Sequence, residues 1–449
     1  MLVLTALICA AAFVLSAGCG RKTDVILIGE YGPFQGQIAD YGNSVHSGIL
    51  LAIEEINARG GLLGKKVELK SEDDRGDASE ARTAVEKLIT RDGVVAVIGE
   101  VASTNTMTAA PVAQTNRVPM ITPASTNPKV TDIGEYIFRI CFTDDFQGAA
   151  CAAFAADNLK VKRAAIFRDI GSDYSKGFAE SFKKVFTQKG GVIVAESTYT
   201  ASDSDFKSQL TTIRSRKPDI IFIPGYYEQV SQIAVQARQL GIKVPLIGGD
   251  GWDAPSLLTT AGGALEGCYF SNHFTPLDKS TIVANFAKSY RAKYKKDPNA
   301  LAALGYDAAW ILAEAIKRAG STNGDAIRKE LSNIKDYPGV TGKITIDSHR
   351  NASKPAVMLK IKGKDFVPSH ALALSRLASP TLPALELNRE QALLFLKKET
   401  FEVPPETPRG WALARFEGQN LGWLKVLPGR MNNYLPPERR IRMALNNDE

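Results

Sequence analysis

Apolar strands alternate with amphipathic helices along most of this chain, and the alternation runs through two rounds. "DVILIGEYGPF" (24–34) is a buried strand opening into a Gly/Pro loop. "YGNSVHSGILLAIEEINARGGLLG" (41–64) carries apolar residues at helical spacing and ends on Gly60 and Gly61. Strand "KVELKSEDD", helix "SEARTAVEKLITRDG", strand "VVAVIG", a helix near Thr104 to Asn116 and strand "VPMITPAS" complete the first round. The second starts at Gln147, its strands "RAAIFRDI", "GVIVAESTY", "IIFIPG" and "VPLIGGD" separated by helical segments. Strands alternating with helices of roughly 10 to 15 residues imply parallel sheets joined by right-handed crossovers. The duplication predicts an α/β fold of two doubly wound lobes, and 449 residues are too many for one core. After "YFSNHFTP" (269–276) come two more helices, then "GVTGKITID" and "KPAVMLKIKGKDFV", read as a terminal hairpin-like pair.

Three segments stand where an apolar strand ends and a helix is about to begin, the place where open α/β sheets bind ligands. They are "IGEVAST" (98–104) with "ITPAST" (121–126), "GSDYSKG" (171–177), and "PGYY" (224–227) with "IGGDGWD" (247–253). The first offers small hydroxyls and free backbone amides, the others aromatic rings and a carboxylate, a combination suited to a zwitterion. A helix N-terminus favours negative charge, so Ser103 and Thr104 can take a carboxylate; either could instead be an N-cap. Asp250, between glycines at a strand end, calls for a cation if buried, and an ammonium supplies one; the alternative is a turn-forming aspartate. Tyr174 and Tyr226 can pack flat on a ligand while offering a hydroxyl, and Tyr41, Trp252 and Phe34 can line an apolar pocket. Each of these rings could equally be structural.

Met1 to Gly18 holds no charged side chain, and its apolar run is shorter than a bilayer span of about 20 residues. Ending in "LSAGC", it resembles a bacterial lipoprotein signal peptide (1–18), which implies lipidation of Cys19 and a membrane anchor; ordinary cleavage is the alternative. Cys141, Cys151 and Cys268 form no CxxC pair, so no metal site is expected and the three read as small buried apolar residues. A net charge of +7 without a Lys/Arg block through residue 366 sets this region apart from nucleic-acid binders. No nucleophile elbow, P-loop or HExxH appears, and His46, His273, His349 and His370 are scattered. Neither catalysis nor a cofactor is expected.

The strings "AIEEINARGGLLGKKVEL", "DDRGDASEA", "TNPKVTD" and "YDAAWILAEAI" carry a family resemblance. From about Asp24 to Val367 the chain resembles the type I periplasmic binding proteins of the leucine/isoleucine/valine class, the substrate-capturing subunits of amino-acid ABC transporters. The resemblance implies an extracytoplasmic protein partnered by permease subunits, with three chain crossings forming a hinge. One lobe would comprise 24–143 with 274–352, the other 144–273 with 353–367. It implies Ser103 on the ligand carboxylate, the Ala124 carbonyl and Thr126 on the polar head, and Tyr174, Tyr226 and Asp250 in the facing lobe. The family often has Glu where Asp250 stands. A receptor-type sensor module is the alternative function.

Beyond a Ser/Pro-rich linker (368–385), the segment "RGWALARFEGQNLGWLKVLPGRMNNYLPPERRIRM" resembles the RNA-binding tail of Sun-type ribosomal RNA cytosine methyltransferases. It is expected as a small α+β domain (386–449) that folds separately. From Arg409 to Arg442 seven Lys/Arg stand against two Asp/Glu, interleaved with Trp411, Phe416, Trp423 and Tyr434. That pattern suits either an RNA backbone-and-stacking surface or the core of a small β domain.

Overall fold

The computed structural model describes residues 25–276, 278, 280–363, 365–368, 383–404, 407, 409–427, 430–436 and 440. The signal segment, Cys19, His370 and most of the expected linker lie outside the described residues.

The first sheet has the order β2-β1-β3-β4-β5, built from Val25–Gly32 (β1), Lys66–Asp73 (β2), Ala96–Ile98 (β3), Met120–Thr122 (β4) and Ile137–Arg139 (β5). All of its pairings are parallel, as the alternation requires. The second sheet contains Arg163–Asp169 (β6), Val192–Tyr199 (β7), Ile220–Phe222 (β8), Leu246–Gly248 (β9) and Tyr269–Asn272 (β10). Three more strands, Tyr337–Gly339 (β11), Gly342–Ile346 (β12) and Ala352–Ser353 (β13), form a separate antiparallel sheet. Val357–Lys362 (β14) and Asp365–Pro368 (β15) return to the second sheet, whose order is β15-β14-β10-β9-β8-β6-β7.

The expected terminal hairpin is thus two hairpins in two places. β12 pairs with β11 and β13, while β14 pairs antiparallel with β10 and β15. Both segments have the apolar content of strands, and only the partner edge decides which sheet each joins.

Helices begin on the side-chain caps that the sequence supplies. Asp77 accepts from the Ser79 and Glu80 amides, Ser172 from Ser175, and Asn299 from Ala302. Helices Ala39–Ala58 and Ala300–Ala319 cross at Gly48 and Gly305, where an added Cβ would meet the Ala302 and Val45 carbonyl oxygens at 1.9 and 2.4 Å. Glycine there lets the two backbones touch.

Ala384–Glu386 (β16), Gly410–Phe416 (β17), Gln419–Leu427 (β18) and Arg430–Asn433 (β19) form the C-terminal sheet with the short helix Arg389–Leu396. β16 claims Ala384 and Leu385, which the linker reading placed in a loop, by pairing parallel with β17. The faces alternate with period two. Ala412, Ala414, Leu424 and Val426 pack with Phe395 in the tail's own core. Trp411, Leu413 and Trp423 belong instead to the apolar cluster of the second sheet, with Phe154, Ile166 and Met358. The tail has its own core and is also docked. Trp411 and Trp423 are buried in that contact and do not present an open stacking platform.

Candidate functional site

Strands β3 and β4 end side by side, and the loops leaving them meet. Gly99, at φ 135°, turns so close to Tyr31 that a Cβ would lie 2.1 Å from its carbonyl oxygen. The following helix, Ser103–Thr115, has Ala102 as its N-cap, so Ser103 is not the cap. Its hydroxyl instead accepts from the Asn127 N–H at 3.2 Å and ties down the loop carrying Ala124 and Thr126. Thr104 is turned away from the expected carboxylate role. It accepts from the Asp173 N–H and donates to the Asp173 carboxylate, both at 3.1 Å, clasping the first segment to the second.

Beneath the loop lies Arg139, fully buried. It donates to the Ser125, Asn127 and Pro128 carbonyls at 2.7, 2.7 and 3.0 Å and to Asn351 Oδ1 at 2.6 Å. Thr126 Oγ1 is buried without a partner in hydrogen-bond geometry, as is Asp144 Oδ2. The Thr126 hydroxyl lies near enough to Asp144 to favour its ionised form, but burial dominates and pushes that carboxyl up to about 8.

From the facing side, Tyr174 in the first turn of helix Asp173–Gln188 stacks on Tyr226, with centroids 5.2 Å apart and planes 8° from parallel. Tyr41 meets Tyr226 edge-on at 5.6 Å; its hydroxyl donates to the Gly251 carbonyl and accepts from the Tyr227 N–H. These rings, with Val101, Ala124 and Asp250, enclose a cavity of about 20 Å³. That is room for about one water, so a larger solute enters only with the walls apart. The ties across it are polar: besides Tyr41 and Thr104, Asn127 Nδ2 donates to the Asp173 carbonyl, and the Ser256 amide and hydroxyl donate to Asp40. Such hydrogen bonds exchange for water at low net cost, so the closed arrangement can open.

Asp250 is 8% exposed and faces this cavity. Its carboxylate accepts from the Tyr174 hydroxyl at 3.0 Å, the Gly251 N–H at 3.1 Å and His273 Nε2 at 2.9 Å. His273 lies stacked on Phe142 at 3.6 Å, and burial pushes it down to about 4, so it donates as a neutral imidazole. All three partners are neutral. The carboxylate is oriented and hydrogen-bonded with no cation in contact among the described residues, a setting in which an added positive charge would be favourable.

Trp252, two residues on, is not a wall of this cavity. It is fully buried, its Nε1–H donates to the Ile223 carbonyl at 3.1 Å, and its ring lies against Phe270. Phe34 sits edge-on to His46 at 5.3 Å, also apart from the cavity lining. Tyr41, Ala124, Tyr174, Tyr226 and Asp250 are brought together; Ser103 and Thr126 are buried in the loop behind Ala124. Sequence reasoning passed over Arg139, Asp144 and His273. For Arg139 a sign was present: a lone charge inside the apolar run "YIFRICF".

Next to the first loop, Asp74 and Glu100 are both fully buried. Asp74 accepts from the Gly76 N–H and Glu100 from the Ala102 N–H, and each keeps a second oxygen without a separate partner. Burial, then the like charge of its neighbour, holds Glu100 well above the usual carboxylate range, and burial pushes Asp74 up to about 7. The folded pair therefore keeps a proton that the unfolded chain releases near pH 4. Its contribution to stability is complete below that pH and is lost as pH rises through about 7. Urea unfolding of the Asp74→Asn/Glu100→Gln double variant, compared with the parent at pH 5 and pH 8, should shift in the variant's favour by on the order of 2 kcal/mol. A constant difference would show that no proton is shared there.

Cys141, Cys151 and Cys268 are buried and unpaired. Among the described residues no His/Cys/Asp/Glu group is arranged to hold a metal, and no helix is long and apolar enough to cross a membrane.

Comparison with known proteins places this geometry. Residues 25–365 match the family model described as periplasmic binding protein, and residues 382–441 match that of the methyltransferase RsmF PUA domain. The Leu/Ile/Val-binding protein BraC3 of Rhizobium johnstonii is 33% identical over 326 residues, covering 71% of this chain and 87% of the relative. The leucine binding protein LivK of Thermotoga maritima superposes with a TM-score of 0.74 at 40% identity, covering 77% of this chain and 97% of that one. LivJ of Streptococcus pneumoniae, solved with isoleucine, gives 0.73 at 35% identity, covering 76% and 97%.

Proposed function

Residues 25–365 make this chain a member of the periplasmic binding protein family, and on that premise we propose that it captures a small apolar L-amino acid between two closing lobes and hands it to an ABC permease. The lobes are 24–143 with 274–352 and 144–273 with 353–367. Lipidated Cys19 holds the protein at the outer side of the membrane. One observation carries the choice of ligand: Asp250, oriented by three neutral donors, lines the cavity between the two large sheets with no cation against it. An α-ammonium is the complementary charge. The ligand carboxylate then falls to the first lobe, where Ser103, the Ala124–Thr126 loop and the start of helix Ser103–Thr115 offer hydroxyls and positive potential. Tyr41, Tyr174 and Tyr226 cover the apolar side chain. The leucine-, isoleucine- and valine-binding names of the relatives favour a branched chain.

Calorimetric titration of the full chain with the twenty amino acids is expected to give saturable heat with branched-chain ligands and little with charged ones. Silence across the panel removes the amino-acid reading.

A further inference from the structure

A second cavity, of about 360 Å³, lies where the docked tail meets the crossover between lobes. It shares no lining residue with the cleft around Asp250. Three separate parts of the chain build it: Asp253 and Phe274 beside the crossover, Phe366 on β15, and Trp411, Lys425 and Tyr434 from the tail. Its volume falls within the usual range of small-molecule sites, and its walls mix aromatic residues, Phe274, Phe366, Trp411 and Tyr434, with polar and charged ones.

Two ammonium groups stand at this seam. Lys425 Nζ lies 5.6 Å from the Trp411 ring centroid, and Lys362 Nζ lies 5.3 Å from that of Tyr434. Neither ammonium has an ion pair among the described residues, so each keeps protons for an anion while resting on a ring. Both carboxylates in the wall are already engaged: Asp253 accepts from Asn272 Nδ2 at 3.0 Å and from the Ala300 N–H at 2.7 Å, and Asp297 is paired with Arg291. Burial also raises the pKa of Asp253. Trp411 and Tyr434 touch, with ring centroids 4.1 Å apart and planes at 58°, and Tyr434 is the more exposed of the two.

We propose that this seam pocket binds a small planar aromatic carboxylate, its ring against the partly exposed Phe366 and Tyr434 and its carboxylate on Lys425. The site exists only because the tail is docked, so it belongs to this chain's particular joining of two folds. The cleft and the seam are separate sites and fill together.

The full chain is titrated with benzoate, with indole-3-acetate and with the neutral isostere benzamide, by calorimetry and by tryptophan fluorescence, alone and again in excess leucine. Saturable binding of both carboxylates, unchanged by leucine, is expected, with benzamide at least tenfold weaker. Lys425→Gln should weaken carboxylate binding about tenfold and leave the thermal melt and leucine binding as they were. No saturable binding, or an unaffected Lys425→Gln, overturns the proposal. So does displacement by leucine, which assigns the carboxylates to the cleft, and so does tighter binding of adenosine 5′-monophosphate than of either carboxylate, which assigns a different ligand class.

Discussion

Asp250→Asn is expected to weaken leucine binding by at least about 30-fold, or roughly 2 kcal/mol, the lower end of what truncating one member of a buried, hydrogen-bonded charge pair costs. The amide keeps the size of the side chain and can still accept from the Tyr174 hydroxyl and the Gly251 N–H. It loses the negative charge that an ammonium needs once the lobes close and exclude water. Its NH2 would also face the Nε2–H of His273, which must then change tautomer; His273 Nδ1 has no partner in the fold, so that change is open to it. The free protein should therefore unfold at nearly the parent's temperature while the dissociation constant rises. An unchanged dissociation constant would mean that the ammonium is held elsewhere.

Arg139→Leu should cost about 3 kcal/mol or more of stability, because it removes several hydrogen bonds to a buried charged donor at about 1.5–3 kcal/mol each before relaxation. The substitution removes a charged donor from four acceptors, the Ser125, Asn127 and Pro128 carbonyls and Asn351 Oδ1, which are left to weaker neutral donors, Cys141 Sγ, the Val130 N–H and the one Thr131 hydroxyl. Neutral hydrogen bonds contribute less than those to a charged group, so these donors recover only part of the loss. Arg139→Lys recovers only part of this, because a single ammonium cannot reproduce the planar fork that reaches several acceptors at once. Denaturant midpoints at constant m-value measure the loss. Those same carbonyls shape the loop bearing Ala124 and Thr126, so ligand affinity should fall with stability in both variants. Near-parental stability in Arg139→Leu would mean that the loop is held by its other hydrogen bonds alone.

The two-round alternation was readable because it rests on signals spanning a few residues: apolar periodicity, glycine stops and side-chain caps such as Asp77 and Ser172. The same local logic placed the candidate loops at strand ends. It did not say which way each side chain turns. Asp250 and Trp252 occupy one 3-10 turn, yet one lines the cavity and the other enters the core beneath Ile223. Ser103 and Thr104 are adjacent at a helix start, yet one secures its own loop and the other grips the facing lobe.

What decides those outcomes are contacts between residues far apart in the chain. Tyr41 finds the Gly251 carbonyl 210 positions away, and Arg139 finds Asn351 across 212. The tail repeats the lesson. The basic and aromatic pattern of the tail left Trp411 and Trp423 to either an RNA surface or a small β core, and only the docked second lobe determines that they are covered by protein. Sequence alone determined the elements, their parallel order and the loops where a ligand could sit, since those depend on backbone propensity and burial pattern within short windows. Tertiary structure alone decided the lobe clasp, the neutral partners of Asp250, the Arg139 brace and the seam pocket, because each is a meeting of side chains that no local spacing encodes.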